Sequence, residues 1–164
     1  MDKISKEILY DIVQDTANSP ARDVIYDFSQ AYQKSMDKVH DFVNGITLTS
    51  VEAHTLKHIC QNKGVTLTEI VNYWGRTKGT VSALISKLEK KGFVYREKCK
   101  IDSKKIHIFP TEVGLVVNDM HIQYDIKESH AWFEAAENKY TMDELMTFWE
   151  ILAFYTDYLN ERYK

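Results

Sequence analysis

Three Thr-x-x-Glu tetrapeptides determine where helices begin in this chain. They are residues 49–52 (TSVE), 66–69 (TLTE) and 141–144 (TMDE). In such a capping box the threonine hydroxyl and the glutamate carboxylate bind backbone N–H groups that have no partner inside the helix. Apolar residues at helical spacing follow each box. We therefore expect a mainly α-helical protein, and only six Gly and two Pro among 164 residues agree with long helices.

The remaining elements follow from apolar periodicity and from turn residues. We expect helices over residues 3–15, 20–43 (with Ser19 as the N-cap), 50–62, 67–74, 78–91, 110–138 and 142–159. Two alternating segments, 93–97 and 105–109, predict a two-stranded β-ribbon with a basic tip. No apolar run approaches the roughly 18–20 residues that cross a bilayer. With only two cysteines and no signal peptide, the expected location is the cytoplasm.

The charge of the chain is unevenly distributed. The formal net charge is −3, but residues 74–105 contain ten Lys or Arg and three Asp or Glu, a balance of +7. The other residues have a balance of −10. A basic segment on an acidic body is typical of proteins that bind a polyanion. A solvated, lysine-rich helix end is the plainer interpretation of the same pattern.

The order of elements in the basic segment predicts a winged helix-turn-helix. A short helix, a turn at Gly75, a second helix and a basic ribbon follow one another, and the polar face of the second helix suits the major groove. The predicted contacts with double-stranded DNA on that helix are Thr77, Lys78, Gly79, Thr80, Ser82 and Ser86. Those of the ribbon tip are Lys100, Asp102, Ser103, Lys104 and Lys105. An ordinary helical lobe with a hairpin, used only for packing, is the alternative.

Several motifs resemble the multiple-antibiotic-resistance regulator (MarR) family. They are residues 48–56 (LTSVEAHTL), 64–70 (GVTLTEI), 77–82 (TKGTVS), 88–93 (LEKKGF), 102–105 (DSKK) and 111–114 (TEVG). The resemblance spans roughly residues 25–160, and segments 52–55 and 79–82 are most similar to the branch that regulates fatty-acid synthesis. It implies a homodimeric repressor that reads a pseudo-palindromic operator and binds a small-molecule or acyl effector. Lys104 stands where the family usually has Arg, which implies a less shape-selective contact in the minor groove.

The domain organisation follows from the same resemblance and from the unpartnered apolar faces. We expect dimerisation helices in residues 1–47, a DNA-binding lobe in 48–110 and further dimerisation helices in 111–164, with no linker. The seam of the second helix and one face of the last helix would be buried by a second copy. A monomer that packs the same faces within one chain is the alternative.

Two classes of effector are compatible with the residues. His54 and His121 fall near positions that bind zinc in a metal-sensing branch of the resembled family, and Asp125 stands where that branch has His. Zinc is therefore one hypothesis, although no cofactor is expected. A cleft lined by aromatic and aliphatic residues is the other, with Phe28, Tyr32, Met36, Trp132 and Phe133 as candidates. Cys99 in the ribbon would sense oxidants only if it were exposed beside lysines.

Enzymatic activity is not expected. The chain lacks G-x-S-x-G, H-E-x-x-H, G-x-x-x-x-G-K and C-x-x-C. The main hypothesis is therefore a DNA-binding transcriptional regulator. The alternatives are a zinc-responsive regulator of the same fold, a winged-helix module that binds proteins instead of DNA, and a dimerisation domain of a small-molecule-modifying enzyme.

Overall fold

The structure is a computed structural model that describes residues 20–43, 45–99 and 105–163. Its helices are α1 (Pro20–Asp37), α2 (Ser50–Gln61), α3 (Leu67–Trp74), α4 (Lys78–Lys90), α5 (Glu112–Glu137) and α6 (Met142–Arg162). Its strands are β1 (Val39–Val43), β2 (Ile46–Thr49), β3 (Val65–Thr66), β4 (Val94–Lys98) and β5 (Ile106–Pro110). The mainly helical fold with a winged helix-turn-helix is confirmed. The predicted helix over residues 3–15 lies outside the described residues, and so does Ser19, the predicted N-cap of the helix that begins at Pro20.

The junction between α1 and α2 differs from the prediction. The helix expected to reach Val43 ends at Asp37, and residues 39–49 form an antiparallel hairpin of β1 and β2. Gly45 lies in the turn with φ +80°, a backbone conformation that glycine adopts without strain. The helical prediction is wrong because β-branched Val39 and Val43 also suit a strand, and pairing with β2 decides between the two.

The wing is a hairpin of β4 and β5, as predicted, with both strands starting one residue later than expected. A short strand that the sequence analysis missed, β3, pairs with the other edge of β5, so the sheet order is β3-β5-β4. In the register of the hairpin, Arg96 lies opposite Ile108 and Glu97 lies opposite His107. A two-residue strand is too short to give an alternating pattern in the sequence.

The described residues form two compact units, the first ending at Asn118 and the second beginning at Asp119. The first unit contains a single hydrophobic core under α4 and the wing sheet. Its members are Leu48, Ala53, Leu56, Ile59, Val65, Ile70, Val81, Ile85, Leu88, Phe93, Val94, Ile108 and Val117. On α4 the core side chains recur at helical spacing, so the opposite face of this helix points outward. The three-part division at residues 47 and 110 stays a prediction.

All three capping boxes form as predicted. The box that starts α2 has a second role, because Glu52 Oε2 accepts from Thr49 N at 3.0 Å and from Lys91 Nζ at 2.9 Å. Lys91 is the C-cap of α4 and also donates to the carbonyl oxygen of Thr47 at 3.0 Å. This buried carboxylate therefore fixes the end of α4 against β2 and the start of α2.

The start of α5 lies very close to the backbone of Phe93. Thr111 Oγ1 accepts from Gly114 N at 3.0 Å and donates to the carbonyl oxygen of Gly92 at 2.7 Å. A Cβ atom added at Gly114 would lie 2.0 Å from the backbone oxygen of Phe93. Only glycine therefore fits at residue 114, and the contact sets where α5 leaves the lobe.

We expect Gly114→Ala to lower the free energy of unfolding by roughly 3 kcal/mol or more, because backbone must move to admit the methyl group. Gly79→Ala is the matched control, since its nearest atom would be Thr77 Oγ1 at 4.0 Å. In a helix this control should raise stability by about 0.5–1 kcal/mol. Urea denaturation followed by circular dichroism measures both, and equal stability of the two variants would contradict the prediction.

Candidate nucleic-acid interface

The turn between α3 and α4 is fixed by one glycine and one tryptophan. Gly75 ends α3 with φ +58°, a left-handed conformation that terminates the helix, and α4 begins at Lys78. Trp74 Nε1 donates to Thr55 Oγ1 of α2 at 2.9 Å, and the guanidinium of Arg76 lies 5.8 Å from the Trp74 ring centroid. The turn thus presents the first residues of α4 at the surface.

The N-terminus of α4 carries hydrogen-bond donors at the protein surface. Thr77 is the N-cap and accepts from Thr80 N at 3.3 Å, while the two threonine hydroxyl oxygens lie 2.9 Å apart. One hydroxyl hydrogen is used between them, so the other can point to an acceptor outside the protein. The first N–H groups of a helix also lack partners within it, and the side chain of Lys78 is exposed beside them. This end of α4 is suited to bind phosphate.

Gly79 lies in the first turn of α4 although the protein itself does not require glycine there. A Cβ atom at this position would meet only Thr77 Oγ1, at 4.0 Å. Glycine inside a helix lowers stability by about 0.5–1 kcal/mol relative to alanine. The missing side chain therefore leaves room for close approach by something outside the protein.

Ser82 and Ser86 lie on the side of α4 that faces the wing. Ser86 Oγ donates to the carbonyl oxygen of Ser82 at 2.9 Å and accepts from Arg96 Nη2 of β4 at 3.1 Å. Arg96 Nη1 also binds Glu89 Oε2 at 2.5 Å. The sequence analysis counted Arg96 and Glu89 in the basic segment but assigned them no role. Strand alternation puts Arg96 on the same face of β4 as buried Val94, but its contact with α4 follows only from the folded structure.

The described part of the wing is basic at its outer end. Lys98 and Lys105 are exposed, and Cys99 N donates to the carbonyl oxygen of Lys105 at 2.9 Å, which closes the hairpin ladder. Cys99 itself is half-buried. Four predicted contacts of the tip lie outside the described residues: Lys100, Asp102, Ser103 and Lys104. Their roles, like those of the α4 residues, stay predictions.

His107 connects strand β5 of the wing with the residue that precedes β3. Its Nδ1 lies 2.6 Å from the carbonyl oxygen of Gly64, and because that oxygen can only accept, Nδ1 must carry the hydrogen. This bond raises the pKa of His107 above 6.5, helped by the side chain of Cys99 and the charge of Glu69, while partial desolvation opposes the shift. The charged imidazole therefore favours the closed arrangement of wing and β3.

Because folding raises the pKa of His107, the stabilising effect of this residue decreases as the pH rises. The contribution of His107 to the free energy of unfolding is complete below its unfolded pKa near 6.5. It is lost as the pH rises through the higher pKa of the folded protein. We expect the melting temperature of wild type to exceed that of His107→Gln by more at about pH 5.5 than at about pH 8.5. Thermal melts across this range measure the difference, and a difference that grows with pH would contradict the assignment.

The candidate zinc ligands lie on two helices. His54 is half-buried on α2 in the first unit. His121 and Asp125 lie on α5 in the second unit, where His121 is buried and its Nε2 is 3.4 Å from Asp125 Oδ2. This i,i+4 pair forms as the sequence predicted, and a direct contact between histidine and carboxylate is equally compatible with joint metal ligation and with a plain ion pair. The zinc hypothesis therefore stays a prediction.

The second unit contains a cleft of about 620 Å³ between the end of α5 and the start of α6. It is lined by Trp132, Ala135, Ala136, Lys139, Tyr140, Glu144, Leu145 and Phe148. Of the candidates for an aromatic cleft, Trp132 lines it, and Phe133 packs edge-on against Trp132 with ring centroids 5.0 Å apart. Phe28 and Tyr32 stack on each other on α1 and are exposed.

A helix-turn-helix followed by a β-hairpin wing defines the winged helix-turn-helix class. Residues 44–104 match the model of the MarR family. The chain is 26% identical over 113 residues to an uncharacterized HTH-type transcriptional regulator, YhjH, of Bacillus subtilis strain 168. That match covers 69% of this chain and 63% of the relative, so the chain spans less than two thirds of the relative's length.

Two solved structures share the fold. A mutant of Escherichia coli MarR in complex with operator DNA has a TM-score of 0.66 at 19% identity, covering 85% of this chain and 95% of that one. Streptococcus pneumoniae FabT in complex with DNA has a TM-score of 0.62 at 18% identity, covering 93% and 98%. Residues 44–104 are thus similar to the MarR family, and the chain shares the winged-helix fold of these two structures. The expectation that the chain is not an enzyme agrees with this similarity to transcriptional regulators.

No helix among the described residues combines the length and the apolar character needed to span a membrane.

Proposed function

We propose that this protein is a homodimeric repressor that binds a pseudo-palindromic operator in double-stranded DNA, with its affinity controlled by an effector. The N-terminus of α4 is the observation that carries the proposal. It joins unused backbone donors, a threonine hydroxyl hydrogen, exposed Lys78 and the unobstructed Gly79 at one surface point. DNA complexes of FabT and MarR with the same fold support this docking mode.

The charge distribution supports the same partner. The balance of +7 in residues 74–105 falls on α4 and the wing, and the acidic remainder would repel DNA from other faces. Lysines dominate the proposed contact, so binding should weaken strongly as salt rises. A DNA-binding function also favours the cytoplasm as its location.

Gly79→Ala should weaken binding to the DNA upstream of the gene by about tenfold, because the methyl group would occupy the space for the DNA backbone. Lys78→Ala should weaken binding to all duplexes and lower the slope of log affinity against log salt by about 0.9, the value for one lost phosphate contact. Fluorescence anisotropy at several salt concentrations measures both. These losses separate DNA contact from folding, since Gly79→Ala should be the more stable protein.

Lys127→Ala is the matched control, since it removes one exposed positive charge far along the sequence from α4 and should leave the salt slope unchanged. Wild-type affinity in the Gly79 and Lys78 variants would contradict the proposed interface. A wild-type protein that binds no duplex at low salt would instead favour the winged-helix module that binds proteins.

Exposed apolar side chains on α1 and α6 support a homodimer. On α1 they include Ile25 and Phe28; on α6 they include Ile151 at 61% and Phe154 at 71% exposure. Monomers rarely leave a large contiguous apolar patch in water. A two-fold dimer would cover these faces with copies of themselves and present two α4 helices to two operator half-sites.

Phe154→Glu should convert the dimer into a monomer and abolish operator binding, because a buried, unpaired carboxylate would weaken association by about 2 kcal/mol or more. Thr156→Glu adds the same charge on the opposite side of α6 and is the control. Light scattering after gel filtration measures the mass. A Phe154→Glu variant that stays dimeric would contradict this assignment of the interface.

For the effector we favour an apolar or acyl molecule in the cleft of the second unit. Its volume lies within the usual range for small-molecule sites, and its lining is mainly aromatic and aliphatic. Zinc is the alternative, supported by the contact between His121 and Asp125. Anisotropy with and without added zinc distinguishes them: zinc-dependent DNA binding that is lost in His121→Ala would favour the metal.

A further inference from the structure

One guanidinium joins the wing to the recognition helix. Arg96 of β4 binds three acceptors on α4: Glu89 Oε2 at 2.5 Å, Ser86 Oγ at 3.1 Å and the carbonyl oxygen of Ser82 at 3.5 Å. Ser82, Ser86 and Glu89 are four and three residues apart, so they form one stripe along the helix. Arg96 spans nearly two turns of α4 with a single side chain.

The strand directs Arg96 to this stripe. Side chains two residues apart in a strand share a face, and Val94, two residues before Arg96, is buried in the core at 2% exposure. Ile108, opposite Arg96 in the hairpin, is buried as well. The aliphatic part of Arg96 therefore follows the core surface, and its charged end emerges where α4 leaves the core.

The hydrogen-bond pattern of Ser86 argues against a phosphate contact by its hydroxyl. The single hydroxyl hydrogen is donated to the carbonyl oxygen of Ser82, and one lone pair accepts from Arg96. Phosphate oxygens accept hydrogen bonds and cannot donate them. In this arrangement Ser86 has no hydrogen for a phosphate, and its role is to hold Arg96.

The charge of Arg96 is likewise largely compensated inside the protein. Its ion pair with Glu89 is partly exposed, with 29% and 36% of the two side chains accessible, so the pair adds little to stability. The role of the pair is to orient β4 relative to α4, because a planar guanidinium fixes both the distance and the angle between them. A lysine offers a point charge without this fork.

We propose that Arg96 is a positioning residue for DNA recognition, with Ser86 and Glu89 as its anchors. It holds the wing at a fixed distance from α4, so that the helix and the wing tip reach adjacent grooves of one duplex together. This inference rests on the proposed function, and it changes the predicted role of Ser86 from a DNA contact to an anchor.

The test compares Arg96→Ala with Lys98→Ala, its matched control two residues further along the same strand face. Each variant removes one positive charge from β4. Anisotropy is measured at several salt concentrations with two duplexes: one enriched by wild-type protein from a random library, and a scrambled one of equal length. Melting temperatures identify any variant that fails to fold.

Arg96→Ala should bind the enriched duplex about tenfold more weakly, with an unchanged salt slope and little change on the scrambled duplex. Ser86→Ala should lose part of the same affinity, and Arg96→Lys should not restore it. Lys98→Ala should weaken both duplexes alike and lower the slope by about 0.9. If Arg96→Ala does not fold, Glu89→Gln, which keeps a neutral acceptor, should give the same pattern in weaker form.

Two results would overturn the inference. Wild-type affinity of Arg96→Ala for the enriched duplex would remove any role in recognition. A lower salt slope with equal loss on both duplexes would make Arg96 a direct phosphate contact. A wild-type protein that enriches no duplex would refute both the proposed function and the positioning role of Arg96. If the wild-type protein binds DNA, the proposed function stands whatever the variants show.

Discussion

The orientation of α4 is fixed by burial of one apolar stripe along this helix. Val81, Ile85 and Leu88 are fully covered by the core of the first unit, and this fixes how α4 is rotated about its own axis. The opposite face is then polar and accessible by necessity. A helix held by its apolar stripe can carry small or charged residues outward without loss of the fold.

Around this helix, polar contacts set the details that packing leaves open. Glu52 and Lys91 hold the C-terminal end of α4 against β2, and Arg96 holds its outer side against the wing. Gly114 brings α5 into contact with the backbone of Phe93. Each contact joins segments that local sequence patterns do not connect.

Gly114 and Gly79 differ in whether the packing of the protein requires glycine. Gly114 is required by the protein's own backbone, while Gly79 is required by nothing within 4 Å except a distant threonine oxygen. The first glycine serves folding, and the second costs helix stability without a benefit inside the described residues. Such an unexplained cost is typical of functional positions, and here it coincides with unused donors at a helix N-terminus.

The helix starts, the buried stripe of α4, the wing and the basic segment could all be predicted from the sequence, because capping, periodicity and charge are local properties. Three features required the folded chain: the hairpin of β1 and β2, the pairing of β3 with the wing sheet, and the contact of Arg96 with α4. These features depend on pairing between distant segments, which no local pattern encodes. The same reason explains the error at Val43, where local apolar spacing suited a helix and strand pairing prevailed.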